Sequence, residues 1–248
     1  MLSGQMAGDL SDGRALGFRP LYKQVRDLLV KRIGDGVWLP GQVLPSEPEI
    51  ASDLGVSQGT VRKALDEMTA ENLVVRRQGR GTYVARHDDA RILFQFFKLV
   101  ADSGERKFPE SRVLKVGLSH DAEAAATLGL KPKDQILSFD RVRSLDGQPC
   151  IFEHICLPGS LFPGLAEREI PNNLYELYAT EFGVTIGRAS EKLKAVAATP
   201  DVAAALATSE GMPLLRVDRK AFALDGRLVE WRVSLCRTEN LHYWSDLR

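Results

Sequence analysis

Between residues 46 and 84 the chain sets two short helical patterns on either side of one glycine and follows them at once with a basic hairpin. Few folds accept that order. Ser46 stands three residues before Glu49, the spacing at which a serine caps a helix and a glutamate returns the hydrogen bond. Ile50, Ala51 and Leu54 recur at helical spacing, and Gly55 stops the run. Ser57 then caps a further helix whose inward residues are Val61, Ala64, Leu65 and Met68. Upstream, Tyr22, Val25, Leu29 and Ile33 lay one apolar stripe along a first helix, and Pro40-Gly41 interrupts. Downstream, apolar runs flank Gln78-Gly79-Arg80-Gly81, whose glycines permit the positive φ of a tight turn.

This order predicts a helix-turn-helix with a wing. A second helix in that geometry presents its N-terminal residues to the major groove of DNA. The residue types suit such a contact. Arg62 can donate two hydrogen bonds to guanine, Gln58 can pair with adenine, and Ser57 and Thr60 reach phosphates or base edges. Lys63 adds charge to the same outward turn. From Val74 to Arg86 there are four arginines (76, 77, 80 and 86) and no acid, so Arg77 and Arg80 are placed for phosphate contact and minor-groove insertion. Small three-helix units with basic hairpins also serve as protein-interaction modules, and the order and spacing taken together select DNA. Lys+Arg and Asp+Glu number 33 each, so the basic surface must be local.

Four stretches follow from the pattern: a tail over 1–17, the winged helix over 18–86, a linker over 87–106 with the aromatic cluster Phe94, Phe96 and Phe97, and a strand-rich domain over 107–248. The last contains an internal echo. A helix from Asp121 to Leu128 ended by Gly129, a strand, Asp146-Gly147 and another strand are repeated downstream, where Thr199 and Pro200 open a helix and Asp225-Gly226 marks the turn. A pseudo-symmetric α+β domain is expected. Cys150, Cys156 and Cys236 are odd in number and lie in strand-like surroundings, which reads as buried free thiols in a reducing compartment. The first residues have no apolar core for a signal peptide, and no apolar run approaches the ~20 residues of a membrane span, so a cytoplasmic protein with no membrane partner is expected.

The motifs Leu44-Pro45-Ser46-Glu47, Leu54-Gly55-Val56-Ser57, Thr60-Val61-Arg62-Lys63-Ala64-Leu65 and Gly79-Arg80-Gly81-Thr82-Tyr83-Val84 resemble the GntR-family winged helix along its whole length. The resemblance implies a homodimer on a palindromic operator, with Arg62 and Gly79 among the DNA contacts. Pro48 stands where the family usually has arginine, and Gln58 where arginine is common, so operator preference is expected to differ. Farther on, Arg141-Val142-Arg143, Gly147-Gln148-Pro149, Leu174-Tyr175-Glu176-Leu177, Arg219, Val229-Glu230 and Arg237 resemble the HutC-type branch with a UTRA effector domain. That implies a mainly antiparallel sheet of chorismate-lyase-like fold in an α+β protein. It also implies a repressor released from DNA by a small anionic metabolite.

Arg141 and Arg143 lie two apart on a strand and project from one face, where two guanidiniums repel unless an anion or carboxylates intervene. Glu153 and Glu230 are candidate carboxylates, although a surface salt-bridge ladder would show the same spacing. The resemblance implies effector contacts at Arg141, Arg143, Glu153, Asn173, Tyr175 and Glu230. Asn173 departs from the usual hydroxyl residue, which weakens the case for a phosphorylated sugar. The four histidines lack metal-ligand spacing, and no nucleophile elbow or phosphate loop is present, so no cofactor and no enzymatic activity are expected. Two alternatives stand beside this reading: a lyase-like enzyme in the C-terminal half, and a DNA-binding dimer without an effector.

Overall fold

The computed structural model describes residues 20–86, 97–104 and 107–245. The tail expected over 1–17 and the aromatic residues Phe94 and Phe96 lie outside them.

Helices α1 (Leu21–Gly34), α2 (Glu47–Leu54) and α3 (Gln58–Ala70) are followed by the antiparallel pair β1 (Val74–Arg77) and β2 (Gly81–Val84). The helix starts follow from their caps. Ser46 and Glu49 form the reciprocal capping box of α2, and the Ser57 side chain accepts from the Thr60 amide at the start of α3. Gly55 closes α2 in the left-handed conformation (φ +63°), which allows the sharp turn into α3. Val25, Leu29, Ile50, Val61, Leu65 and Met68 close one core with Val74 and Val84 of the wing. Each fully buried Leu or Met there contributes about 2–5 kcal/mol against truncation to alanine.

The second unit is a six-stranded antiparallel sheet. It is built from β4 (Glu110–Ser119), β5 (Ile136–Leu145), β6 (Gln148–Pro158), β7 (Ile186–Ala197), β8 (Pro213–Ala223) and β9 (Leu228–Cys236) in the order β4-β5-β6-β9-β8-β7. The internal echo becomes a pseudo-twofold: strand, helix, strand, strand occurs twice, and the halves join where β6 pairs with β9. The helices of the two halves, α4 (Ala122–Leu128) and α6 (Pro200–Ala205), cover the back face over Ile136 and Cys156 and over Phe152 and Leu235. Helix α5 (Leu174–Phe182), between the halves in sequence, covers the front face through Leu174, Tyr175 and Tyr178 against Phe139, Ile155 and Leu157.

Alternation would leave the front of a two-faced sheet apolar throughout, yet part of this front is charged. Within the stretch read as linker, β3 (Leu99–Ala101) pairs with β10 (Leu241–Tyr243), and Leu99 packs on Ile151 and Cys236. Residues 97–104 therefore form a wall beside the charged part of the front face. Cys150, Cys156 and Cys236 are buried and unpaired, as the sequence suggested.

Candidate functional sites

On the winged helix, α3 leads with Ser57, Gln58, Thr60, Arg62 and Lys63. The Ser57 and Thr60 hydroxyls are 2.8 Å apart and serve the helix start. Gln58 and Arg62, one turn apart, both reach a single carboxylate, Glu47 at the first position of α2. Lys63 lies over the Tyr22 ring of α1 with Nζ 4.3 Å from its centroid. In the wing, Arg77 packs on Tyr83 at 4.7 Å, and the exposed Arg80 accepts the Tyr83 hydroxyl on its carbonyl at 3.0 Å. Gly79 has φ +69° with open space where a side chain would project, so backbone conformation and not crowding selects glycine there.

The second site is set by sheet register. Residues directly opposite one another share a face, so Val113, Arg141, Glu153, Ser234, Val217 and Leu193 form one row across all six strands of the front. The adjacent row carries Arg232 and Arg219, and the row on the other side begins Ser111, Arg143, Ile151 and Cys236. With Phe97 and Leu99 on one side and the start of α5 on the other, these rows line a half-open cavity of about 70 Å³.

Arg141 and Arg143 share the face as expected, and both are buried. That excludes the surface ladder. Arg141 donates through Nε to Glu153 at 2.6 Å and through a terminal nitrogen to the Asn172 carbonyl at 3.2 Å. Glu153 also accepts from Arg232 at 3.3 Å and Ser234 at 3.1 Å. Burial alone would raise the Glu153 pKa, but the charges of Arg141, Arg232 and Arg143 outweigh it and hold the carboxyl well below the usual range.

Arg143 is different. Its guanidinium is held between Phe97 and Phe108 at 4.9 and 4.4 Å, and its hydrogen-bond acceptors are the neutral oxygens of Pro109 and Asn172, both at 3.4 Å. Its Nε is buried without a partner among the described residues. Burial, with the Arg141 charge behind it, pushes its pKa down to about 9. A guanidinium keeps its proton, so Arg143 is a charge buried close to another arginine with only neutral acceptors among the described residues.

Glu230 corrects the expected arrangement. It lies fully buried behind the cavity wall, where Tyr175, Tyr178 and Arg232 donate to it at 3.0, 3.0 and 2.7 Å, and neither Arg141 nor Arg143 pairs with it. It positions Tyr175 and Arg232, which do line the cavity. Asn173 also lines it but caps α5, with Oδ1 accepting the Glu176 amide at 3.4 Å and Nδ2 donating to the Glu176 carboxylate at 3.2 Å.

Sequence reasoning passed over Arg232, although it stands two residues beyond Glu230 in the alternation that drew attention to Arg141 and Arg143. Asn172 and Phe108 gave no sequence signal, and Arg219 entered only through the resemblance. On the back face, His154 bridges Asp140 at 2.6 Å and Cys156 at 3.2 Å. The order resembles an acid–base set, but the Cys156 thiol is fully buried and burial pushes its pKa up to about 12, the reverse of an activated nucleophile. Among the described residues, no cluster of His, Cys, Asp or Glu is arranged to hold a metal ion, and no helix is long and apolar enough to cross a membrane.

Comparison with known proteins finds a known domain over each of the two regions. The family model for bacterial regulatory proteins of the gntR family matches residues 21–84, and the model of the UTRA domain matches 105–242. The transcriptional repressor NagR of Bacillus subtilis is 30% identical over 233 residues, covering 92% of this chain and 96% of that protein. The mannosyl-D-glycerate transport/metabolism system repressor MngR of Escherichia coli is 26% identical over 234 residues, with the same coverage of 92% and 96%. Among solved structures, the ligand-binding domain of a regulator assigned to the GntR family from Bordetella bronchiseptica superposes with a TM-score of 0.56 at 36% identity, covering 61% of this chain and 96% of that one.

Proposed function

The chain belongs to the GntR family of bacterial regulatory proteins, in the HutC-type branch with a UTRA domain, and on that premise we propose that it is a dimeric repressor released from a palindromic operator by a small anionic metabolite. It works in the cytoplasm. Residues 18–86 bind the operator through Ser57, Gln58, Thr60, Arg62, Lys63, Arg77, Gly79 and Arg80. Residues 107–248, with the wall supplied by 97–104, bind the effector and hold the dimer together.

The observation that carries the effector reading is the buried Arg143 guanidinium. Among the described residues the front face gathers four buried arginines, and three of them have carboxylates: Arg141 has Glu153, Arg219 has Glu191 at 2.5 Å, and Arg232 has Glu230. Arg143 has none among the described residues, and the half-buried Lys98 stands at the same cavity. A buried charge without a counterion is costly, and an anionic ligand offsets that cost on binding. Arg141 and Glu153 shape the floor of the site, Asn173 and Tyr175 its side, and Glu230 fixes Tyr175. One contact toward the DNA-binding unit supports coupling: Glu176, adjacent to Tyr175, lies 3.8 Å from Arg86 after the wing. Coupling of about 1–3 kcal/mol between the sites changes operator affinity roughly five- to 150-fold.

The test is operator release. A duplex selected from a random pool by the wild-type protein is titrated with a panel of carboxylate and phosphate metabolites, for wild type and for Arg143→Met. The proposal expects at least one anion to release wild type and to leave Arg143→Met bound. Release of both proteins by the same anion removes Arg143 from the site, and release by neutral compounds alone removes the anionic reading. The lyase-like alternative finds no support in the buried, high-pKa Cys156.

A further inference from the structure

Glu47 is an acid placed where the partner is a polyanion. It begins α2, with 21% of its side chain exposed, and its carboxylate gathers groups from two other elements. Oε2 accepts from Arg62 Nε at 2.9 Å and from Gln58 Nε2 at 3.3 Å, and the second Arg62 nitrogen is also 2.9 Å away. Oε1 accepts from Arg76 of β1 at 3.3 Å, and the far side of that guanidinium is held by Asp66 of α3 at 2.7 Å. One carboxylate therefore joins the base-reading turn of α3 to the first strand of the wing.

Helix capping does not account for this. The capping duty of α2 falls to Glu49, which accepts from the Ser46 amide at 2.7 Å and the Ser46 hydroxyl at 2.8 Å. Those bonds fix the backbone on which Glu47 stands and leave its carboxylate free to face α3. Partial burial opposes ionisation, but the hydrogen bonds from Arg62 and Gln58 and the charges of Arg62 and Arg76 lower the Glu47 pKa. Its charge repels DNA phosphates, so its contribution must come from what it does to its neighbours. A free arginine samples many rotamers and finds phosphates in any sequence. Held by Nε and one terminal nitrogen, the guanidinium keeps its plane, with its remaining N–H groups free to donate to a base edge.

We propose that Glu47 is a positioning residue for sequence readout: it orders Arg62 and Gln58 for base contacts and withholds Arg62 and Arg76 from indiscriminate phosphate contacts. It makes binding selective at the expense of non-specific affinity.

The experiment measures the affinity of full-length wild type and Glu47→Gln for the selected operator duplex and for a scrambled duplex of equal length, across a salt series. Loss of the negative charge is expected to strengthen scrambled-duplex binding and to steepen its salt slope by up to about one unit. Operator binding is expected to weaken, so that the ratio of the two falls about tenfold or more. In an Arg62→Ala background, Glu47→Gln is expected to change that ratio by less than threefold, because Glu47 acts mainly through Arg62. A parallel rise in both affinities would reduce Glu47 to simple repulsion and overturn the proposal. So would a parallel fall accompanied by a lower melting temperature, which would mark a structural role, and so would an unchanged ratio.

Discussion

At the residue scale, Arg141 and Arg143 look equivalent in sequence but have opposite expected behaviour. Arg141 is paired: its removal leaves Glu153 buried with only Arg232 and Ser234 as donors. Arg141→Ala is therefore expected to destabilise the protein by about 3 kcal/mol or more, seen as a lower midpoint in urea unfolding. Arg143 has no carboxylate partner among the described residues, and Met in its place keeps contact with Phe97 and Phe108 while removing a buried charge. Arg143→Met is expected to stabilise the ligand-free protein by about 1–3 kcal/mol. A lower midpoint for this variant would show that the guanidinium is satisfied without a ligand. Alternation told which residues share a face, since Arg141, Arg143 and Glu153 are fixed by period two. It could not tell which arginine would find which acid, because that depends on β6 meeting β9 and on α5 bringing Asn172 and two tyrosines over the sheet.

At the scale of elements, caps and turns were the most legible parts. Ser46, Glu49, Gly55, Ser57 and Gly129 act where local chemistry alone decides, and each stands where its pattern placed it. Strands β4 and β7 were not legible in the same way. They are the sheet edges and largely exposed, and in β4 a register shift between Val113 and Lys115 breaks the period, leaving the apolar Leu114, Val116 and Leu118 exposed. The front-face wall was also hidden, since β3 is only three residues long and its partner β10 lies near the other end of the chain. The turn between α2 and α3 offers a clean test. Gly55 has open space around its missing side chain but a φ of +63°, so Gly55→Ala adds strain without a clash. It is expected to cost about 1–2 kcal/mol, read as a lower melting temperature of the full-length protein. A neutral result would mean that the turn relaxes out of the left-handed region.

At the scale of the whole molecule, the repeat and the proposed dimer make different demands on symmetry. The pseudo-twofold within the sheet is imperfect at its charged rows: the second and third strands of the first half oppose Arg141 with Glu153, while those of the second half oppose Arg219 with Arg232. Two like charges across a strand pair are tolerated because Glu191 and Glu230 take one each. The proposed dimer, in contrast, has to repeat its reading heads faithfully. Two copies of α3 related by a twofold axis meet the same groove only when half-site centres lie about one helical turn apart, roughly 34 Å or 10 base pairs. Inserting five base pairs at the operator centre rotates one half-site by about half a turn, to the opposite side of the duplex. Operator affinity in an anisotropy titration is then expected to fall to that of an isolated half-site. If affinity survives the five-pair insertion, the two winged helices are not held in a fixed relation. A released repressor would then need an explanation other than re-orientation of its reading heads, because a linker loose enough to span both spacings transmits no geometry from the effector cavity.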